Sequence, residues 1–220
     1  GNIISYDASG NPVAIATGSD GQVLTSAGAG QPPAFEAAGG GAWTFISVVT
    51  ASNAATVDFD AVFSSTYSQY VISCSDLHPR TDNTELRCRT STNGGSSYDS
   101  GSSDYRWGVV GRDGGNGASI SADNAAIQMG INGSASECQF GNAADESGWF
   151  RMWIFNPSGT TYDTNFAWHV GGSPISTGNG PLAYQGVGQR NATADVDSIQ
   201  FFMDSGNLDG VFRLYGIVDS

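Results

Sequence analysis

One β-strand can be read directly from the sequence, in Gln69-Tyr70-Val71-Ile72-Ser73-Cys74-Ser75. Tyr70, Ile72 and Cys74 share one side of this strand, because successive side chains of an extended chain point to opposite faces of a sheet. The same alternation recurs in residues 85–90, which read Glu-Leu-Arg-Cys-Arg-Thr. A strand of an antiparallel sheet that is buried on one face and wet on the other has this pattern.

The remainder of the chain from residue 42 onward consists of similar short segments. Clusters of Gly, Asn, Asp and Ser separate them at regular intervals, and no segment has a helical periodicity. This spacing predicts an all-β fold, an antiparallel β-sandwich or jelly-roll-like head domain over residues 42–220. The predicted strands are residues 43–50, 55–59, 69–75, 85–90, 105–110, 118–121, 126–130, 148–155, 165–170, 183–188, 198–203 and 210–218.

The tryptophans of these strands divide into two groups. Residues 148–155 are apolar on both faces apart from Arg151, so we predict a central strand covered on both sides, with Trp149 and Trp153 in the core. Trp107 and Trp168 have more polar neighbours. We therefore select Trp107 and Trp168 as the candidates for an exposed aromatic platform that stacks on sugar rings.

Composition and charge exclude several classes of protein. The chain has 220 residues and 22.7 kDa, and its eight arginines against 21 acidic residues leave a net charge of −13 with no lysine. The long-range field of such a chain repels nucleic acid and anionic lipid. No apolar run reaches the roughly 20 residues of a membrane helix, so we expect no membrane insertion.

Residues 1–41 differ in kind from the rest. They are rich in glycine and contain too few apolar residues to build a core of their own. Turn sequences at Asp7–Pro12 and Ser19–Gly21 precede short apolar pieces, which predicts an extended β segment. Its apolar side must pack on something else, either on the head domain or on copies of itself around a symmetry axis.

The most specific motif lies in this segment. Residues 20–35 read Asp-Gly-Gln-Val-Leu-Thr-Ser-Ala-Gly-Ala-Gly-Gln-Pro-Pro-Ala-Phe. They resemble an element that recurs in bacteriophage tail-fibre and other virion fibre proteins, with Phe35 where the family usually has tryptophan. Residues 4–12 resemble the upstream element of the same proteins. The resemblance implies a homotrimer with an intertwined neck over residues 1–41. The neck residues facing the threefold axis or a neighbouring subunit would be Ile3, Ile4, Val13, Ile15, Val23, Leu24 and Phe35.

A second resemblance covers parts of the head domain. Residues 45–52, 90–98 and 212–217 are similar to blocks of a β-rich domain at the C-terminal end of phage structural proteins. Together the two resemblances imply a structural virion appendage, a tail fibre or a head fibre or decoration, made in the bacterial cytoplasm. Its partners would be other virion proteins and a glycan of the host cell surface.

Two other functions remain open. The chain could be a monomeric extracellular carbohydrate-binding module, in which residues 1–41 are only a linker. It could also be a capsid-decoration protein that binds other virion proteins and has no host ligand. Removal of residues 1–41 would change the oligomeric state of a trimeric fibre and leave that of a monomeric module unchanged.

The sequence favours neither catalysis nor a resident metal or cofactor. The two histidines, His78 and His169, are not accompanied by a nucleophile motif, and the adjacent pair Asp145 and Glu146 points in opposite directions if extended. We predict no enzyme. Oxygen ligands for Ca²⁺ are available in loops, but their spacing matches no EF-hand or RTX repeat, and solvated loop carboxylates are the better explanation. These carboxylates are Asp76, Asp82, Asp99, Asp104 and Asp113.

The three cysteines are an odd number in a chain of this length, which argues against a disulfide framework. We expect Cys74, Cys88 and Cys138 to be buried, reduced thiols.

Overall fold

The computed structural model describes residues 2–37, 42–112, 116–130, 140–173 and 181–218. Within these ranges all the regular elements are β-strands, and every pair of neighbouring strands is antiparallel. The predicted all-β, antiparallel fold is therefore confirmed. The chain divides into two compact units, Gly1–Gly41 and Ala42–Ser220. None of the described residues belongs to a helix long and apolar enough to cross a bilayer.

The first unit consists of two hairpins. They pair β1 (Ile3–Tyr6) with β2 (Pro12–Ile15), and β3 (Gln22–Thr25) with β4 (Ala34–Ala37). In the first turn the Asp7 carboxylate accepts hydrogen bonds from the backbone N–H groups of Ser9 and Asn11 at 2.8 and 2.9 Å. Gly10 has a φ of 80°, which a residue without a Cβ adopts at no steric cost. The local turn chemistry thus accounts for the first hairpin.

The second unit is built from two sheets. The strands of the larger sheet, in spatial order, are β10 (Asn116–Asn124), β9 (Tyr105–Arg112), β14 (Leu182–Arg190), β13 (Asn165–Gly172), β12 (Gly148–Phe155), β7 (Gln69–Pro79), β16 (Leu208–Ile217) and β5 (Trp43–Ala54). The strands of the smaller sheet are β11 (Ile127–Gln128), β8 (Leu86–Ser91), β15 (Ser198–Met203) and β6 (Val57–Phe59).

The core lies between these two sheets, as in a β-sandwich. Phe150 of the larger sheet packs against Phe201 of the smaller one with 5.1 Å between ring centroids, and against Phe212 of its own sheet at 5.7 Å. On β12 the buried side chains alternate with exposed ones, so Phe150, Met152 and Ile154 point inward. The four-stranded sheet covers one side of the eight-stranded sheet, and the other side faces outward.

This arrangement corrects the prediction for residues 148–155. The strand is central, between β13 and β7, as expected. Its second face is not covered, however, because Trp149 is 52 % exposed and Phe155 is exposed as well. Trp153 is partly buried. The apolar residues of this strand therefore lie on two surfaces: one set faces the core and the other set faces the outward side of the larger sheet.

Candidate functional site

The outward side of the eight-stranded sheet, here called the outer face, carries a line of apolar residues from one edge to the other. Neighbours in this line are paired in the strand register, so they lie side by side. We call it the apolar row; its members are Phe45, Tyr215, Val71, Trp153, Ala167, Val187, Gly108 and Ile120. Ile120 is 86 % exposed and Val187 is 64 % exposed. Neighbouring apolar side chains that are exposed together often mark an interaction site. At about 4.8 Å between strands, the row spans roughly 33 Å.

A second line of paired residues runs beside the first, two residues further along each strand except where β5 and β16 are offset by a bulge. We call it the arginine row; its members are Val48, Arg213, Ser73, Arg151, His169, Gln185, Val110 and Ala118. Its central members offer guanidinium, hydroxyl, imidazole and amide groups. The two rows together combine apolar surface with hydrogen-bonding groups, which is the composition of a ligand site.

Aromatic rings make contacts along the outer face. Tyr215 packs against Trp43 and Phe45 with centroid distances of 5.7 and 5.8 Å. Trp153 meets His169 edge-on at 5.4 Å, since the two lie on neighbouring strands. Such tilted and edge-on ring contacts are favourable and add to the packing of the outer face.

Three adjoining hollows lie along strands β9, β14, β13 and β12. Their volumes are about 490, 440 and 580 Å³, and neighbouring hollows share lining residues such as His169 and Val187. Gly108 helps to form them, because an added Cβ there would lie 3.3 Å from the Ile120 side chain. The hollows therefore form a continuous groove about as large as the pockets that hold small molecules.

Trp149 forms one side of this groove. Its indole lies over Gly171 of the neighbouring strand, where an added Cβ would come within 2.6 Å of the ring. One face of the ring is thus supported by backbone, and the residue as a whole remains 52 % exposed. A supported aromatic ring with a free face is suited to stacking on a flat apolar ligand surface.

The two tryptophans selected from the sequence lie elsewhere. Trp107 is 6 % exposed and Trp168 is 1 % exposed, and both belong to the hydrophobic core. Trp168 donates a hydrogen bond from its Nε1 to the Met129 carbonyl at 3.0 Å, and its ring fills the space beside Gly186. Polar neighbours in sequence were misleading, because they belong to the opposite face of the same strand. The prediction that Trp107 and Trp168 form an exposed platform is therefore wrong, because both side chains lie in the core.

The groove residues missed by the sequence analysis had a signal of their own. Trp149, Trp153 and Phe155 have the same parity along β12 as Arg151. A charged residue without a buried partner seldom faces a core. The position of Arg151 could therefore have indicated that these aromatic residues face outward.

The apolar residues of the first unit are largely exposed in the single chain. Ile4 is 71 % exposed. Also exposed are Ile3, Val23 and Leu24, whereas those partly buried are Val13, Ile15 and Phe35. The Phe35 ring lies against Gly18 within the same unit. The two hairpins thus leave apolar surface open.

The other candidate groups occupy structural positions. His78 and Arg80 both lie near the Asp209 carboxylate, at 3.9 and 2.6 Å. Asp99 accepts hydrogen bonds from Arg190, the shorter at 2.7 Å, and Asp104 accepts one from the Gly101 N–H.

No cluster suited to a metal ion is formed by the His, Cys, Asp and Glu residues that the structure describes. Asp113 and Cys138 lie outside the described residues. Cys74 and Cys88 are buried with free thiols, and burial raises the pKa of both.

No known protein family matches the chain, and no curated protein does so either. The outer face itself is therefore the best guide to function.

Proposed function

We propose that this chain is a structural appendage protein of a bacteriophage virion, a tail fibre or a head fibre, that binds a host-surface glycan through the outer face of its second unit. The observation that carries the binding role is the apolar row, with Phe45, Val187 and Ile120 exposed, beside a groove lined by Trp149, Trp153 and His169. The virion role rests on the resemblance of residues 20–35 to fibre proteins.

Saccharides fit the chemistry of this groove. A sugar ring has an apolar face of C–H groups and a rim of hydroxyls, and aromatic rings bind the former while amides and charged groups bind the latter. Trp149 and Trp153 supply the rings, and Gln185 lies beside His169 in the register.

A homotrimer accounts for the first unit. Ile4 and Leu24 lie on separate hairpins and are exposed in the single chain. Burial of apolar surface against other copies contributes about 25 cal/mol per Å², so short hairpins gain stability by associating. Ile4→Ser together with Leu24→Ser should lower the solution mass measured by light scattering. A mass equal to a single chain for the unsubstituted protein would instead favour the monomeric carbohydrate-binding module.

A glycan array with the full chain tests the binding role. We expect glycan binding, and we expect Trp149→Ala and Trp153→Ala to weaken it by about tenfold or more, as at anchor residues of other interfaces. Phe202→Ala is the matched control, since Phe202 lies on the smaller sheet beneath Arg89. Absence of any binding to the array and to host cells would contradict the adhesive role and favour a capsid-decoration protein without a host ligand.

A further inference from the structure

The arginines of this protein are used in two different ways. Arg80, Arg87 and Arg190 each form an ion pair with a carboxylate. Such pairing is expected in a chain with 21 acidic residues and only eight cationic ones. The other arginines whose side chains the structure describes form no ion pair; they are Arg89, Arg106, Arg151 and Arg213.

Arg151 and Arg213 are the two members of this second group that lie in the arginine row. Among the described residues neither forms an ion pair. Arg213 donates a hydrogen bond from Nη1 to the Ser75 hydroxyl at 3.3 Å, and the Arg151 guanidinium carbon lies 5.6 Å from the ring centroid of Trp43. Both guanidinium groups are thus held by neutral neighbours.

The two arginines are also close to each other. Each is paired in the register with Ser73, which lies on the strand between them. Their Cα atoms are therefore about 10 Å apart, at about 4.8 Å per strand. The apolar row and the arginine row contain no carboxylate. The two positive charges thus share one stretch of the outer face, and no carboxylate of either row compensates them.

We propose that the outer face selects an anionic oligosaccharide, whose acidic group lies between Arg151 and Arg213 and whose sugar rings lie on Trp153 and Trp149. This inference rests on the proposed function and specifies the class of glycan. The planar guanidinium group binds a carboxylate or sulfate through two parallel hydrogen bonds. The hydroxyl of Ser73, between the two arginines, can donate a further one.

The charge of the chain favours an acidic glycan over two other occupants of the outer face, a nucleic acid and a second copy of this chain. A nucleic acid would bring many phosphates towards a chain of net charge −13, which repels a polyanion over a longer range than a single acidic sugar. A second copy of this chain, docked with the two-fold axis between Arg151 and Arg213, would bring four arginines together without a carboxylate from either row. An acidic glycan neutralises the two arginines without either cost.

The test uses the full chain on glycans compared in pairs that differ only in the acidic group: a uronic-acid oligosaccharide against its methyl ester, and a sulfated glycan against its unsulfated form. We expect the acidic member of a pair to bind more tightly and its binding to weaken as NaCl is raised. Arg151→Gln and Arg213→Gln should each weaken it by about tenfold or more. Arg89→Gln, on the smaller sheet, is the control of equal charge change and should have no effect.

Other results would overturn the inference in distinguishable ways. Equal binding of acidic and neutral glycans, unaffected by Arg151→Gln, would leave the glycan-binding function standing and remove the anionic specificity. If the chain bound no glycan at all, both the glycan-binding function and the anionic specificity would be refuted. If the chain binds no glycan and Arg213→Gln lowers its solution mass, then these arginines belong to a contact between subunits.

Discussion

Replacement of Trp168 by phenylalanine should destabilise the second unit much more than the same replacement at Trp149. Trp168 is 1 % exposed and hydrogen-bonds the Met129 carbonyl at 3.0 Å, whereas Trp149 is 52 % exposed. The comparison uses the same chemical change at two tryptophans of adjacent strands. It therefore isolates the effect of the face on which each side chain lies.

The magnitude follows from two contributions. Loss of the indole N–H leaves the buried Met129 carbonyl without that partner, at a cost of roughly 1–3 kcal/mol. The smaller phenyl ring leaves space beside Gly186, and partly filled core sites cost about 1 kcal/mol or more. We expect a decrease of roughly 2–4 kcal/mol in the free energy of unfolding for Trp168→Phe. Trp149→Phe should stay within about 0.5 kcal/mol of the unsubstituted chain.

Urea unfolding and thermal melting measure the difference. For a domain of this size the Tm falls by about 2–4 °C per kcal/mol, so Trp168→Phe should lower the Tm by roughly 5–15 °C. All variants are compared at one protein concentration, because association shifts the Tm. Equal effects of the two substitutions would refute the assignment of Trp168 to the core and Trp149 to the surface.

Three further predictions concern the interior of the second unit. Gly186→Ala should destabilise it by about 1–3 kcal/mol, since the new Cβ would lie 2.3 Å from the Trp168 ring; a melt as high as that of the unsubstituted chain would contradict this packing. Burial raises the pKa of Glu85, so the stability associated with its neutral form is present at low pH and is lost as pH rises through that raised value. Glu85→Gln should therefore flatten this decline in urea titrations that start below the ordinary pKa of glutamate and continue above it, and an unchanged slope would argue against it. Cys74 and Cys88 should react with a thiol reagent only in denaturant, because both are buried with raised pKa values; peptide mass spectrometry showing rapid labelling of the native chain would exclude this.

Much of the fold was predictable because alternation is a local property. Tyr70, Ile72 and Cys74 are the inward residues of β7, as their period of two indicated, and Val71 on the opposite face is buried as well. The turn at Asp7 follows from a side chain that bonds its own neighbouring backbone. Such features need no contact with distant residues, so the sequence carries them completely.

The candidate site was less predictable because it depends on contacts between distant parts of the chain. Trp43 comes near the start of the second unit and Tyr215 near its end, yet β5 and β16 are neighbours and the two rings lie 5.7 Å apart. Arg151, from the middle of the chain, reaches the same Trp43 ring. Nothing in the spacing of these residues indicates that they share one surface.

The sequence by itself determined that the chain is all-β and which residues of each strand share a face. Only the tertiary structure decided which of the two faces is buried, and thereby placed Trp168 in the core and Trp149 on the outer face. The physical reason is that the period of two separates the faces of a strand without identifying them. That identity depends on which side of the eight-stranded sheet the four-stranded sheet covers.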